Sequence, residues 1–235
     1  MPVKPDRLDM FERAVALIAF GLGFVAVSLS FTQQAIWSAA DFINFLSYFT
    51  IESNLLALIL LGFILAKPAP GRARSSSARR NPASWSAPPL RSRRYGLRFF
   101  QGAVTTYMII TAIVYEGFLT SDRFSLVSDP KNFTMHVLVP VALIVLWILP
   151  TGDAGDRAGI DFPAVLAWFS YPLLYVVYSL VRGGLSGWYP YYFFDPAHSG
   201  GPNGLAVNLA LLALLVLAAI VAVQRLNRLS SRLIQ

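Results

Sequence analysis

Six stretches of this sequence, near 12–31, 42–66, 97–119, 132–150, 161–182 and 203–224, are predominantly apolar over about the length that a membrane crossing requires. A helix rising ~1.5 Å per residue needs about 20 such residues to cover ~30 Å of hydrocarbon. Inside hydrocarbon only helices and closed barrels satisfy their own backbone groups. A barrel would show roughly ten-residue segments of alternating polarity, and the sequence has none. The pattern therefore predicts an all-α polytopic membrane protein, six transmembrane helices in a single domain over 1–235. Composition agrees: 56% of residues are hydrophobic, 13% are charged, and the mean hydropathy is +0.57, outside the usual range of soluble domains.

The net charge of +7 would suit a nucleic-acid partner only if it formed a folded basic face. Instead the basic residues fall between the apolar runs, so no nucleic acid is expected and topology explains the charge. Sixteen of the nineteen Lys and Arg residues lie in segments that alternate spans would place on one side: Lys4 to Arg13, Lys67 to Arg98, Arg157, and Arg225 to Arg232. Only Arg123, Lys131 and Arg182 fall opposite. Under the positive-inside rule both termini are cytoplasmic and the protein is a multi-pass resident of the cell membrane. No small-residue cleavage signal follows the first span, which reads as a retained helix. Residues 67–96, rich in Arg, Ser and Pro, read as a cytoplasmic linker, either a topology determinant or a contact for anionic headgroups. The run Trp-Tyr-Pro-Tyr-Tyr-Phe-Phe-Asp-Pro at 188–196 suits an ordered outer loop at the interface.

Polar groups are costly inside a span and usually face the bundle interior, so they mark where a site would lie. In the second span Asn44, Ser47, Thr50 and Asn54 are spaced by three, three and four, along one helical face. Glu52 points nearly opposite and needs its own partner or a proton. The fourth span carries His136, with Pro140 one turn further in. Counting from the helix starts, His136 lies ~6 Å and Thr50 ~12 Å deep, level within boundary error. Tyr107, Thr111, Tyr115 and Glu116 come from the third span, Tyr171, Tyr175, Tyr178 and Arg182 from the fifth, and Asn208 from the sixth. Together they predict a polar pocket in the outer half of the bundle, closed by the aromatic loop.

A hydroxyl and a neutral imidazole in such a pocket can attack an ester carbonyl, with an amide such as Asn54 or a phenol such as Tyr115 stabilising the oxyanion. Ser47, Tyr175, Tyr178, Arg182 and Asn208 would then line a substrate site, Arg182 holding a free carboxylate. Each residue also has an ordinary use, and spacing alone favours it. Intramembrane threonine usually bonds the carbonyl four residues back, here Leu46, and His or Asn ties helices together. Tyrosines at helical spacing usually pack, and an interfacial arginine usually snorkels. With two histidines, His136 and His198, and no cysteine, the sequence lacks paired axial haem histidines and closely spaced zinc ligands, so metal binding is poorly supported.

The segment Tyr48-Phe49-Thr50-Ile51-Glu52-Ser53-Asn54-Leu55-Leu56, with Met135-His136 and Pro140, resembles the androgen-induced and androgen-dependent family of membrane hydrolases. Its bacterial relatives share patterns similar to Gly102-Ala103-Val104-Thr105, Ile113-Val114-Tyr115, Tyr171-Pro172-Leu173-Leu174-Tyr175 and Gly187-Trp188-Tyr189-Pro190-Tyr191. The resemblance covers all six spans and is specific only in these stretches. It implies a threonine hydrolase of lipid esters, such as fatty acid esters of hydroxy fatty acids, with Thr50 as nucleophile, His136 as base, an acyl-threonine intermediate and no cofactor. Glu52 within the threonine segment and the long Arg-rich linker depart from the family pattern. The rival classes are a small-solute transporter or channel using Glu52 and Glu116, and a non-catalytic lipid-binding protein. The Thr50 hydroxyl to His136 imidazole distance separates catalysis from these.

Overall fold

A computed structural model describes residues 7–34, 38–67, 90–119, 129–149 and 162–232. All regular structure among them is helical. Helix α1 (Arg7–Gln34) is followed by α2 (Ala39–Leu46) and α3 (Phe49–Leu65), which meet at a 70° bend. Helix α4 (Leu90–Val114) continues through a π-helical turn, Tyr115–Leu119. Helix α5 (Pro130–Phe133) passes through a second π-helical turn, Thr134–Leu138, into α6 (Val139–Ile148). Helix α7 (Phe162–Leu166) tightens to a 3-10 turn, Ala167–Phe169, before α8 (Ser170–Ser186). A loop containing the 3-10 turn Tyr192–Phe194 leads to α9 (Gly201–Arg232).

Four runs, Arg7–Gln34, Tyr95–Leu119, Pro130–Ile148 and Gly201–Leu226, are long and apolar enough to cross a membrane, and α2 with α3 adds a fifth if the bent pair is one span. The expected continuous helices over 42–66 and 161–182 are both interrupted. In the latter, Pro172 lacks an N–H and its ring crowds the carbonyl four residues back, at Trp168, where the backbone tightens. The expected linker 67–96 is also shorter, because α4 begins at Leu90; residues 68–89 lie outside the described ones.

Surface and interior reverse the pattern of a soluble protein. Leu17, Ile18, Phe24 and Val25 of α1 are exposed, while Ala16, Ala19, Gly23, Ala26 and Ser30 on its other face are buried. Small residues let helices approach closely where burial of apolar surface gains little. A Cβ at Gly23 would stand 3.2 Å from Val139 Cγ2. Helix α4 packs against α3, α6 and α9, and Gly102 admits the Trp168 and Trp147 rings, since a Cβ there would lie 2.3 Å from Trp168.

Polar ties gather toward two ends. At one end Lys67 pairs with Glu12 at 3.1 Å, Arg13 donates to the Lys67 carbonyl at 2.5 Å, and Arg98 lies 3.8 Å above the Trp147 ring. Trp147 Nε1 there donates to the Val223 carbonyl at 2.8 Å. At the other end Lys131 donates to Gln33, and Tyr192 Oη donates to the Phe118 carbonyl at 2.7 Å.

Candidate functional site

The bend between α2 and α3 occurs without proline or glycine, at Ser47 and Tyr48, and hydroxyls from α8 hold it. Tyr175 Oη accepts the Phe49 N–H at 3.2 Å and donates to the Ser47 carbonyl at 2.9 Å, satisfying two backbone groups at the break. Ser47 Oγ donates to the Ile43 carbonyl at 2.6 Å and takes the Tyr178 O–H at 2.7 Å. Ser47, Tyr175 and Tyr178, expected to line a substrate site, thus hold the bend, although Tyr175 also borders a cavity. The expected single polar stripe is therefore divided. Thr50 becomes the second residue of α3, at a helix N-terminus whose dipole favours negative charge.

Opposite Thr50 stands the π-helical turn Thr134–Leu138. Pro140 has no N–H to give the His136 carbonyl and its ring would crowd that carbonyl, so the ladder widens: the Val139 N–H bonds the Thr134 carbonyl, five residues back. His136, 4% exposed, is delivered to the core from this turn. Its Nδ1 lies 2.9 Å from the Asn132 carbonyl, which can only accept, so Nδ1 carries a proton. In the neutral ring Nε2 is then the lone-pair nitrogen, and it lies 3.4 Å from Thr50 Oγ1. That distance is long for a hydrogen bond but within direct reach. The Tyr115 ring, from the other π-helical turn, stacks on His136 with centroids 3.7 Å apart.

A third group was not singled out from the sequence. Tyr191 Oη, from the aromatic loop, accepts the Thr50 N–H at 3.3 Å and lies 3.4 Å from Thr50 Oγ1. Its ring is flanked by Phe193 at 5.1 Å and Tyr48 at 5.7 Å. The density of aromatics at 188–196 was the available signal, and it pointed to a lid without indicating which phenol reaches inward. Asn208 fixes this loop, donating to the Phe193 carbonyl at 3.0 Å and reaching Ser199 Oγ at 3.3 Å. At the loop's exposed edge, a hydrogen bond from His198 and another from the Ala197 N–H hold the Asp195 carboxyl below the usual carboxylate range.

Other expected members lie elsewhere. Asn54 Nδ2 donates to the carbonyls of Thr50, at 2.9 Å, and Met135, at 3.4 Å. The first bond lies within α3 and the second ties α3 to the π-helical turn, so the amide expected as oxyanion donor is engaged with main-chain carbonyls. Arg182 donates to Asn44 Oδ1 at 2.6 Å and lies 4.2 Å over the Trp188 ring, outside the cavity beside Thr50. Glu52 accepts a short hydrogen bond from Tyr171, and Glu116 is exposed. Among the described residues no cluster of metal-ligating side chains occurs.

Thr50 opens onto a cavity of about 490 Å³, counting its mouth. Phe49, Ile110, Val114, Val176, Phe193, Phe194, Leu212 and Val216 make most of its wall, with Thr50, Thr111 and the tyrosines Tyr115, Tyr175 and Tyr191 as the polar members. The expected polar pocket is instead a mainly apolar chamber with a hydroxyl at its rim. No family model, curated protein or solved structure matches the chain.

Proposed function

We propose that this protein is a multi-pass membrane hydrolase of lipid esters, a bacterial-type relative of the family that its Thr50 and His136 segments resemble. The observation that carries the reading is the directional set Asn132 carbonyl, His136, Thr50 hydroxyl, in which the imidazole presents its lone pair to the nucleophile. The bent pair α2–α3 and the run 162–186 count as two further spans, giving six, with both termini cytoplasmic under the charge bias.

In the proposed reaction Thr50 Oγ1 bonds to the ester carbonyl carbon while His136 Nε2 takes the hydroxyl proton. The oxyanion forms beside the N-terminus of α3 and the Tyr191 O–H, which stabilise it. Collapse breaks the carbon–alkoxy bond, and His136 returns its proton to the leaving alcohol. Water then gives a proton to His136 and its oxygen to the carbonyl carbon, and as the carbon–Oγ1 bond breaks His136 returns that proton to Thr50 Oγ1, releasing the fatty acid. No step requires a cofactor.

Turnover of fatty acid esters of hydroxy fatty acids by the purified protein, lost in Thr50→Ala and His136→Ala, tests the assignment. Covalent capture by a fluorophosphonate probe is expected at Thr50. Full hydrolysis by Thr50→Ala overturns the reading, and solute uptake into proteoliposomes that depends on Glu52 favours a transporter in its place.

A further inference from the structure

We infer that the apolar cavity beside Thr50 is the acyl-chain site of the ester, with the alcohol on the opposite, His136 side, and that Ile110 and Val216 limit the chain length. The orientation rests on the hydrolase reading. His136 must reach both the Thr50 hydroxyl and the departing alkoxy oxygen, so the alcohol lies toward the imidazole. Thr50 lines the cavity and His136 does not; the Tyr115 ring, stacked on the imidazole, forms the wall between them. The carbonyl substituent left for the cavity is the acyl chain.

Shape and chemistry fit that occupant. The walls are chiefly aliphatic and aromatic, the chemistry that takes an alkyl chain. Three helices contribute residues one turn apart, Val114 and Ile110, Val176 and Pro172, Leu212 and Val216, so the chamber runs at least one helical turn inward from Thr50. Below Val216 the interior is filled: Ala219 and Ile220 are 3% and 1% exposed, and the Tyr107 and Tyr171 rings pack with centroids 4.9 Å apart. The chamber is blind, and its depth sets a length. Tyr191, Phe193 and Phe194, the buried side chains of the loop, line its other end.

The test uses purified full-length protein in detergent micelles and two ester series, acetate, octanoate and palmitate of one alcohol, and acetates of a short and a long alcohol. Val216→Trp fills the floor by about three methylenes, each worth roughly fourfold in binding, so the palmitate-over-acetate preference in kcat/KM falls roughly 60-fold. Ile110→Phe, carried in parallel as the milder change, shifts it in the same direction, and Leu212→Ala shifts it toward longer chains. Dependence on the alcohol chain, or no length dependence in either series, overturns the inference. Palmitate binding to Thr50→Ala protein reads the chamber without turnover: Val216→Trp in that background weakens it roughly 60-fold, and unchanged binding again overturns the inference. If the wild type hydrolyses none of the esters while palmitate binding responds as expected, the hydrolase reading fails and the acyl site stands.

Discussion

Tyr191→Phe separates chemistry from architecture. The substitution keeps the buried ring among Tyr48, Phe193 and Phe194 and removes only the hydroxyl. That hydroxyl accepts one backbone N–H at 3.3 Å and touches Thr50 Oγ1 at 3.4 Å, both long contacts, so the expected stability loss is about 1 kcal/mol. If the same O–H also meets the developing oxyanion, turnover falls by about 10²–10³, or roughly 3–4 kcal/mol in the transition state. Tyr175→Phe is the matched control. Its hydroxyl bonds two backbone groups at 2.9 and 3.2 Å, and removing it strands both, which is expected to cost about 2–4 kcal/mol of stability. The expected signature is therefore crossed: Tyr191→Phe lowers kcat with little change in Tm, and Tyr175→Phe lowers Tm more than kcat. Thermal unfolding in detergent and ester turnover on the same preparations read both quantities. Wild-type kcat in a folded Tyr191→Phe protein would refute the oxyanion role.

Further outcomes follow from the packing. Pro140→Ala restores an N–H and removes the ring that crowds the His136 carbonyl, so the π-helical turn is expected to revert toward α; kcat falls at least about tenfold with little loss of Tm. Gly102→Ala forces a methyl to within 2.3 Å of Trp168 and is expected to cost about 1–3 kcal/mol in thermal unfolding. For Asp195, a carboxyl held below its unfolded value stabilises the loop above about pH 4 and loses that contribution as pH falls through the folded value. Trp188 fluorescence against pH, compared with Asp195→Asn, reads that transition, and an unchanged profile in the variant removes Asp195 as its cause.

Helix positions were legible because apolar length is a local property of the chain; His136 stood out as the one histidine within a predicted span, and Thr50 was singled out as nucleophile by the resemblance of its segment. The bend at Ser47 and Tyr48 was not legible. No proline or glycine marks it, and the hydroxyls that stabilise it come from Tyr175 and Tyr178, far along the chain. The π-helical turn had a local trace in Pro140, but proline marks only that the ladder must change. Asn54 shows how spacing misleads: four residues from Thr50 it is indeed adjacent, yet its amide meets the Thr50 backbone instead of facing the cavity. Tyr191 depended on the fold of a loop whose closure is fixed by Asn208 on α9.

The proton on His136 Nδ1 is held by a main-chain carbonyl, where many histidine bases have a carboxylate. That partner is present whatever side chain occupies position 132, so Asn132→Ala removes the amide's bond to Asp129 and leaves the carbonyl in place. What disturbs it is register. Inserting or deleting one residue between Asn132 and His136 rotates the ring by about 100° relative to its acceptor, as the helical period dictates. In this protein, spacing along the backbone would be under selection at a point where side-chain identity is not.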